Sequence, residues 1–441
     1  MARLEFVVPA FDAEATLGAT LRSLVAQTMP DWHAIVVDDG SRDRTAEVAR
    51  KIADSRIRVL RQENRGLAGA RNAGFAAGDA DAVCFLDADD AVDATFAERM
   101  LGALGGCDAA ACEFRYVGPG LEELGWAMRL GDQDLAVERL IEFNPLAVGG
   151  VLARRGALRR AFDGAARPFD GRLRVHEDWD LWLRMTVAGA RWAPVMHEPL
   201  FAYRLRAGSM SSDLAVMWRV GLDVIERTEV GAATKARARR RWTIRHAARA
   251  AARGDGRLAR EWLGAVMPME ADDESLLAEA LRWALGHEHR TSPDRVDAER
   301  ARTWVERARA ALEGVAAWER IEPGLRFEGD RWARAAEAIG EMAAGYRRVV
   351  IVGMGRNGRS LVEALAWCAG RFAWIDEDTS ATAPSAMARS ANGRTMRRIG
   401  FEELCADDLA VVTPQSPGAL LERSRRAGRV VLVDSLMPAK R

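Results

Sequence analysis

The sequence contains few cysteines, and their arrangement excludes the structures that cysteines usually build. The 441 residues include five cysteines, an odd number with no Cys-x-x-Cys pair. This pattern indicates neither a disulfide framework nor a zinc knuckle, so we expect a reducing, cytoplasmic environment.

Long apolar runs are also missing. No stretch of about 18 apolar residues occurs, so we expect no membrane-spanning helix. Arg3, Glu5 and Asp12 interrupt the N-terminus, where a signal peptide would need an apolar core. We therefore expect a cytoplasmic protein whose membrane contact, if any, is peripheral and at the inner face of the membrane.

An excess of charge of one sign is missing as well. Lys and Arg total 64, and so do Asp and Glu, so the whole-chain signature of a nucleic-acid-binding protein is absent and we expect no nucleic-acid partner. A local basic cluster, Lys235–Arg241, is interpreted either as a solvated helix face or as a contact for phosphates or anionic lipid headgroups.

The chain is long enough for two or three domains. Its first part alternates short apolar strands with helices, which predicts an α/β domain with a mostly parallel sheet over residues 1–212. The predicted strands are Leu4–Pro9, Trp32–Asp38, Ile57–Arg61 and Ala82–Asp87, and the helices between them are Ala13–Gln27, Arg44–Ala53 and Leu67–Ala77.

The rest of the chain changes character twice. Residues 213–345 are rich in Ala, Arg, Leu, Trp and Glu, which predicts a helical connector domain. A strand, a glycine loop and further short strands then predict a small Rossmann-like accessory domain over residues 346–441. Its loop carries Gly353, Gly355 and Gly358, and Asp376 follows at about the spacing of a ribose-binding acid. We interpret this loop either as a nucleotide site or as a tight turn in a scaffolding domain.

Three carboxylates follow the fourth predicted strand in the segment FLDADD, at Asp87, Asp89 and Asp90. A helix cap explains one acidic residue but not three, because neighbouring carboxylates repel one another. Carboxylate oxygens are preferred ligands of Mg²⁺ and Mn²⁺, so the segment predicts a divalent-metal site at the carboxyl end of a strand.

Six segments in order together resemble the family 2 glycosyltransferases of the GT-A fold, over residues 3–212. They are the opening strand and helix, VDDGSRDRT, NRGLAGARNAG, FLDADD, HEDWDLWLRM and YRLRAGSMS. The resemblance implies an inverting, metal-dependent hexosyltransferase with a nucleotide-sugar donor, most simply UDP-linked. Glycan, lipid-linked and protein acceptors remain open, as do the sugar and the oligomeric state.

The resemblance also implies roles for individual residues. Asp39 would bind the uracil edge, Arg71 would face the diphosphate, and Asp89 would bind the metal together with Asp87. The donor-binding set as a whole is Pro9, Ala10, Phe11, Asp39, Arg71, Asp87 and Arg206.

On the acceptor side, Asp178 would be the catalytic base, and Glu177 would orient it or bind the acceptor. An exposed Trp179 would stack on a sugar face, whereas Trp182 at helical spacing is predicted to be core. Arg206 stands where many members of the family have a histidine; arginine cannot bind a metal but can pair with phosphate.

Two other functions are consistent with parts of the sequence. The first is a degenerate member of the family that binds a nucleotide-sugar or glycan without turnover. The second is an NAD-dependent oxidoreductase activity of residues 346–441, which is disfavoured because that segment has no catalytic Tyr-Lys or His partner.

Overall fold

A computed structural model of the chain describes residues 3–131, 133–162, 167–205, 213–291 and 310–312, and six strands between 348 and 432. The chain divides into two compact units, Met1–His246 and Ala247–Arg441. The predicted boundaries at residues 212 and 345 remain predictions.

The first unit contains two sheets. Its strands are β1 (Leu4–Ala10), β2 (Trp32–Asp38), β3 (Ile57–Arg61), β4 (Ala82–Phe85), β5 (Ala91–Val92), β6 (Ala109–Cys112), β7 (Phe114–Val117), β8 (Glu123–Met128), β9 (Val151–Arg154), β10 (Trp192–Val195) and β11 (Phe201–Arg204). The larger sheet has the order β10-β6-β9-β4-β1-β2-β3, and the smaller one has the order β5-β11-β7-β8.

The larger sheet is mostly parallel. β1 pairs in parallel with β2 and β4, and β2 pairs in parallel with β3. β9 runs antiparallel to both of its neighbours. The prediction of an α/β domain with a parallel-rich sheet is therefore confirmed.

Helices surround the sheets of the first unit. They are α1 (Leu17–Val25), α2 (Thr45–Lys51), α3 (Gly66–Ala77), α4 (Phe96–Leu104), α5 (Val137–Leu140), α6 (Arg155–Arg160), α7 (Glu177–Val187), α8 (Leu214–Arg227) and α9 (Ala232–Ala252), whose last residues enter the second unit.

The burial of β1 shows that apolar side chains pack on both faces of the larger sheet. All seven residues of the strand are buried. Phe6 and Val8 pack into one apolar cluster, and Val7, which points the other way, packs into a second. Alternate side chains of a strand point to opposite faces, so this sheet is covered on both sides and its polar loops are left at its edges.

The predicted elements of the first unit are present, but several helices are shorter than the sequence pattern indicates. α1 begins at Leu17 rather than Ala13, because residues 14–16 form turns before the helix. The Ala13 N–H donates to Thr45 Oγ1 of α2, which ties this turn segment to the neighbouring helix. β4 ends at Phe85 rather than Asp87, so all three aspartates of the FLDADD segment lie in the loop between β4 and β5.

The second unit contains α10 (Gly256–Gly264), α11 (Ala271–Thr291) and a six-stranded sheet. Its strands are β12 (Arg348–Val352), β13 (Phe372–Ile375), β14 (Ala388–Arg389), β15 (Thr395–Arg398), β16 (Asp408–Val412) and β17 (Arg429–Leu432), in the order β14-β15-β13-β12-β16-β17. Gly353, Gly355, Gly358 and Asp376 lie outside the described residues. Within the described part of the chain, every helix is too short or too polar to cross a bilayer.

Candidate functional site

The loops that follow β1 and β2 are tied together at the carboxyl edge of the larger sheet. The Asp39 N–H donates to the Ala10 carbonyl at 2.9 Å, and the Asp12 N–H donates to Ser41 Oγ at 3.1 Å. Ligands of parallel α/β sheets bind at this edge. The two loops therefore form a fixed wall in the place where the sequence predicts the nucleotide.

The adjacent aspartates of this wall have different roles. Asp38 accepts a hydrogen bond from the Ser41 N–H at 2.9 Å and holds the turn. Asp39 is 2% exposed, and its Oδ1 accepts from Gln62 Nε2 at 2.7 Å and from the Arg65 N–H at 2.9 Å. Both hydrogen bonds use the same oxygen, so the segment between β3 and α3 fixes the orientation of the Asp39 carboxylate.

The residues at the end of β1 were predicted to line the base pocket. Pro9 and Ala10 are buried and form the last two pairs of β1 with β2. Phe11 follows them and is 47% exposed, unusual for a large apolar side chain. Phe11 therefore offers an aromatic surface at the mouth of the predicted site.

A hydroxyl from α1 fixes the turn that carries the three aspartates after β4. Thr20 Oγ1 lies 3.0 Å from the Ala88 carbonyl oxygen and 2.7 Å from the Asp90 carbonyl oxygen. Asp90 is buried and accepts from the Arg204 N–H at 2.8 Å. Burial, reinforced by the charges of Asp89 and Asp87, raises the pKa of Asp90 well above its usual value. Asp90 is thus a structural member of the turn, while Asp87 and Asp89 are only half-buried.

One buried guanidinium joins this turn to α7. Arg71 is 2% exposed, and its Nη2 lies 2.6 Å from Asp87 Oδ1 while its Nη1 lies 2.5 Å from Glu177 Oε1. Burial disfavours the charge, but these carboxylates outweigh it and raise the pKa of Arg71. The structure thereby brings the end of β4 and the start of α7 to the same group, although they are 90 residues apart in sequence.

Asp178 lies next to this ion-paired group, in the first turn of α7. Its Oδ1 accepts from the Trp179 N–H at 2.7 Å. Burial and the neighbouring Glu177 charge raise the pKa of Asp178 to about 7, against the opposing effect of Arg71. A carboxylate with a pKa near the working pH is suited to accept a proton during a reaction.

Trp179 does not meet the condition for stacking on a sugar, which is that the tryptophan be exposed. Trp179 is 0% exposed; its Nε1 donates to the Leu140 carbonyl at 2.7 Å, and its ring stacks on Trp242 with centroids 4.7 Å apart. The prediction that Trp182 is core is confirmed, since it is also fully buried. The indole of Trp179 anchors α7 to α9 instead of being exposed to a ligand.

Sequence reasoning missed several residues that position the site. His176 has φ 62°, in the left-handed region, directly before α7. Its Nε2 lies 3.0 Å from the Met217 carbonyl oxygen of α8, and its ring contacts Trp242. Thr20 and Gln62 were also missed, because ordinary polar residues in a helix or after a strand give no sequence signal for a contact across the fold.

A second group of possible metal ligands, Glu5, His33 and Asp79, lies elsewhere in the described residues. Glu5 and His33 belong to the amino-terminal halves of β1 and β2, at the edge opposite the site above. Glu5 is fully buried and lies 2.5 Å from Arg155 and 2.7 Å from His33. The Glu5 charge is therefore already compensated by protein, and we build no reaction on this group.

Arg206, predicted to pair with donor phosphate, lies outside the described residues. The other predicted donor and acceptor residues all belong to the first unit. They are Pro9, Ala10, Phe11, Asp39, Arg71, Asp87, Asp89, Glu177 and Asp178. Their roles remain predictions.

The sequence and fold were compared with known proteins. Residues 5–162 match the family model described as glycosyl transferase family 2. The uncharacterized glycosyltransferase EpsJ of Bacillus subtilis (strain 168) is 30% identical over 220 residues, which are 47% of this chain and 62% of EpsJ. The chain therefore spans less than two thirds of that relative.

Two further similarities are more limited. The Escherichia coli protein named UDP-Glc:alpha-D-GlcNAc-diphosphoundecaprenol beta-1,3-glucosyltransferase WfgD is 36% identical over 88 residues, which are 20% of this chain and 35% of WfgD. A crystal structure of S. aureus TarS 1–349 in complex with UDP-GlcNAc aligns with a TM-score of 0.45 and 19% identity, covering 74% of this chain and 91% of that one.

Proposed function

From the glycosyl transferase family 2 domain that the chain contains in residues 5–162, we propose that the protein is an inverting, metal-dependent glycosyltransferase with a UDP-sugar donor. The observation that carries this proposal is the bridge formed by Arg71, which holds Asp87 and Glu177 at one guanidinium. Asp178, the residue after Glu177, is half-buried and lies close enough to Arg71, Glu177 and Asp87 for their charges to act on it.

The uridine end of the donor is assigned to the wall formed by the β1 and β2 loops. Asp39 presents a carboxylate fixed through one oxygen, and its other oxygen would accept from the N3–H of uracil. Phe11, exposed at the same edge, offers an apolar surface to the base.

The residues present fit a divalent cation. Asp87 and Asp89 are carboxylates of one short turn, and neighbouring like charges stabilise a bound cation. Mg²⁺ is commonly held by one or two carboxylates together with substrate phosphates, so a third protein ligand is unnecessary. When bound, Mn²⁺ or Mg²⁺ would neutralise charge on the leaving diphosphate.

Arg71 serves the site by positioning rather than by offering its charge to that diphosphate. Its guanidinium is 2% exposed, and the carboxylates of Asp87 and Glu177 compensate its charge. It therefore holds Asp87, in the metal-binding turn, and Glu177, beside Asp178, in fixed places.

Asp178 serves as the base. The acceptor hydroxyl transfers its proton to the Asp178 carboxylate while its oxygen attacks the anomeric carbon. The bond from that carbon to the phosphate oxygen breaks, and the electron pair leaves with the nucleoside diphosphate. Direct attack inverts the anomeric centre. The raised pKa of Asp178, about 7, makes the carboxylate a stronger base than an ordinary aspartate.

The acceptor is proposed by class. The name of WfgD specifies a UDP-glucose donor and an acceptor carried on a diphosphate-linked lipid, so a glycan or lipid-linked saccharide is the first class to test. A protein acceptor is the alternative.

The test is a thermal-shift screen of nucleotide-sugars with Mn²⁺, followed by donor hydrolysis in wild type and Asp89→Ala. A ligand that binds only the native state raises its melting temperature according to its affinity. We expect stabilisation by UDP-sugars and hydrolysis that Asp89→Ala removes. Stabilisation without hydrolysis or transfer would instead show a binding protein that has lost catalysis.

A further inference from the structure

Arginines surround one buried carboxylate between the α5 region and α9. Glu142 is 3% exposed and pairs with Arg237 Nε at 2.6 Å, Arg241 Nε at 2.8 Å and Arg139 Nη1 at 3.6 Å. Arg139 and Arg237 remain about half exposed, at 51% and 53%. One carboxylate therefore organises three guanidinium groups that still reach solvent.

A small cavity adjoins this cluster. It has a volume of about 30 Å³ and is lined by Asp134, Arg139, Glu142, Phe143, Pro145 and Arg245. The Arg245 guanidinium lies over the Phe143 ring at 5.1 Å. A volume of this size holds two or three oxygen-sized groups, at about 10–15 Å³ each.

Positive charge exceeds negative charge around Glu142. Three arginines, Arg139, Arg237 and Arg241, share the single charge of Glu142, and Asp134 is the other carboxylate at the cavity. Asp134 is itself engaged, because its Oδ2 accepts from the Gly131 N–H at 2.8 Å. Guanidinium groups match phosphate oxygens in geometry and charge, so the local excess of positive charge favours a phosphate.

The cluster is connected to the proposed base by two packed contacts. Trp179, the residue after Asp178, donates to the Leu140 carbonyl, two residues before Glu142. Its ring also stacks on Trp242, the residue after Arg241. Trp179 therefore follows the proposed base in sequence and contacts Leu140 and Trp242, which are close in sequence to Glu142 and Arg241 of the cluster.

We propose that the cluster around Glu142 is an anion subsite for a phosphorylated acceptor, with two or three oxygens of the acceptor's phosphate or diphosphate entering the cavity. This inference rests on the proposed function, because the subsite would hold the acceptor of the proposed transferase, not its donor. Arg139 and Arg245 at the cavity contact the phosphate oxygens, and Glu142 keeps Arg237 and Arg241 in place beside them.

The test measures binding of inorganic pyrophosphate to the full chain by calorimetry, with EDTA present so that no cation bridges pyrophosphate to the aspartates. The test variant is Arg139→Gln/Arg245→Gln, which leaves Glu142 with two arginine partners. The matched control is Lys235→Gln/Arg239→Gln, which removes two positive charges from α9 where they contact Glu226 instead.

We expect wild type and the control to bind with affinities within about twofold, since exposed pairs contribute little. The test variant should bind about tenfold more weakly or worse, because charge-assisted contacts are lost. Absence of binding to wild type, unchanged binding to the test variant, or equal weakening in the control would each overturn the proposal.

Two further measurements separate the possible outcomes. Farnesyl diphosphate binding more tightly than pyrophosphate would support a lipid-linked acceptor, and equal binding would support a soluble phosphorylated one. Donor hydrolysis should persist in the test variant. If wild type hydrolyses no donor, the proposed function fails, while the pyrophosphate result still decides the anion subsite.

Discussion

The pKa of Asp178 makes the pH dependence of transfer the sharpest test of the proposed chemistry. The raised value of about 7 means that about one site in a hundred is deprotonated at pH 5, two units below the pKa. If Asp178 is the base, the rate should rise about tenfold per pH unit from 5 to 6 and level off above 8. An aspartate with its ordinary pKa near 4 would give a flat profile over the same range.

Glu177→Gln provides the matched perturbation. The Glu177 charge is the second largest cause, after burial, of the raised pKa of Asp178, and Glu177 also occupies one side of Arg71. Removing that charge lowers the Asp178 pKa and leaves Arg71 to stabilise the carboxylate further. Both effects lower the pKa of Asp178, so the rising part of the pH–rate profile should move to lower pH.

The measurement is kcat/KM for the acceptor at saturating donor, across pH 5–9 at two Mn²⁺ concentrations. An unchanged midpoint at both concentrations would exclude titration of the metal site as the cause. A wild-type profile that is flat below pH 7, or a Glu177→Gln limb that moves to higher pH, would refute the reasoning.

Five other outcomes are expected. Asp178→Asn should lower transfer by about 10²-fold or more while UDP binding by calorimetry stays near wild type; activity near wild type would remove this residue as base. The same variant should melt higher than wild type at pH 8 but not at pH 4. The raised pKa of Asp178 costs the wild type folding stability that builds up from the ordinary aspartate pKa near 4 to about 7 and is fully present above it; equal melting at both pH values would contradict that pKa. EDTA or Asp89→Asn should abolish turnover, with Mn²⁺ restoring only the EDTA-treated wild type; activity in EDTA would exclude the metal. Trp242→Ala should lower the free energy of unfolding by about 3–5 kcal/mol. Truncation after residue 213 removes Trp242, which stacks on Trp179, and should impair acceptor use more than donor binding. A fully active truncation would show that α8 and α9 do not position α7.

The order of strands and helices in the first unit could be predicted because each element carries its own signal. β2 and β3 were predicted residue for residue, since their apolar runs begin and end at polar residues. Helix starts were less accurate, as α1 shows: its first predicted turn is not helical, and its contact with Thr45, 32 residues away, gives no signal in the local sequence.

The contacts within the candidate site were less accessible to prediction. The roles predicted for Asp39, Asp87 and Asp178 came from the family resemblance, and an aspartate is chemically suited to each of those roles. The burial of Trp179 could not be foreseen, because the side chain that covers it, Trp242, lies 63 residues later in a helix whose sequence pattern indicates packing but not a partner.

The sequence alone determined which chemical groups are available and on which strand ends they lie, because polar residues that directly follow buried parallel strands must meet at one edge of the sheet. Only the tertiary structure decided which of those groups share an environment. Arg71 gives no sign in the sequence that it binds Asp87 and Glu177 together. Burial and neighbouring charge, which set the pKa of Asp178, are properties of packed three-dimensional surroundings and not of a residue type.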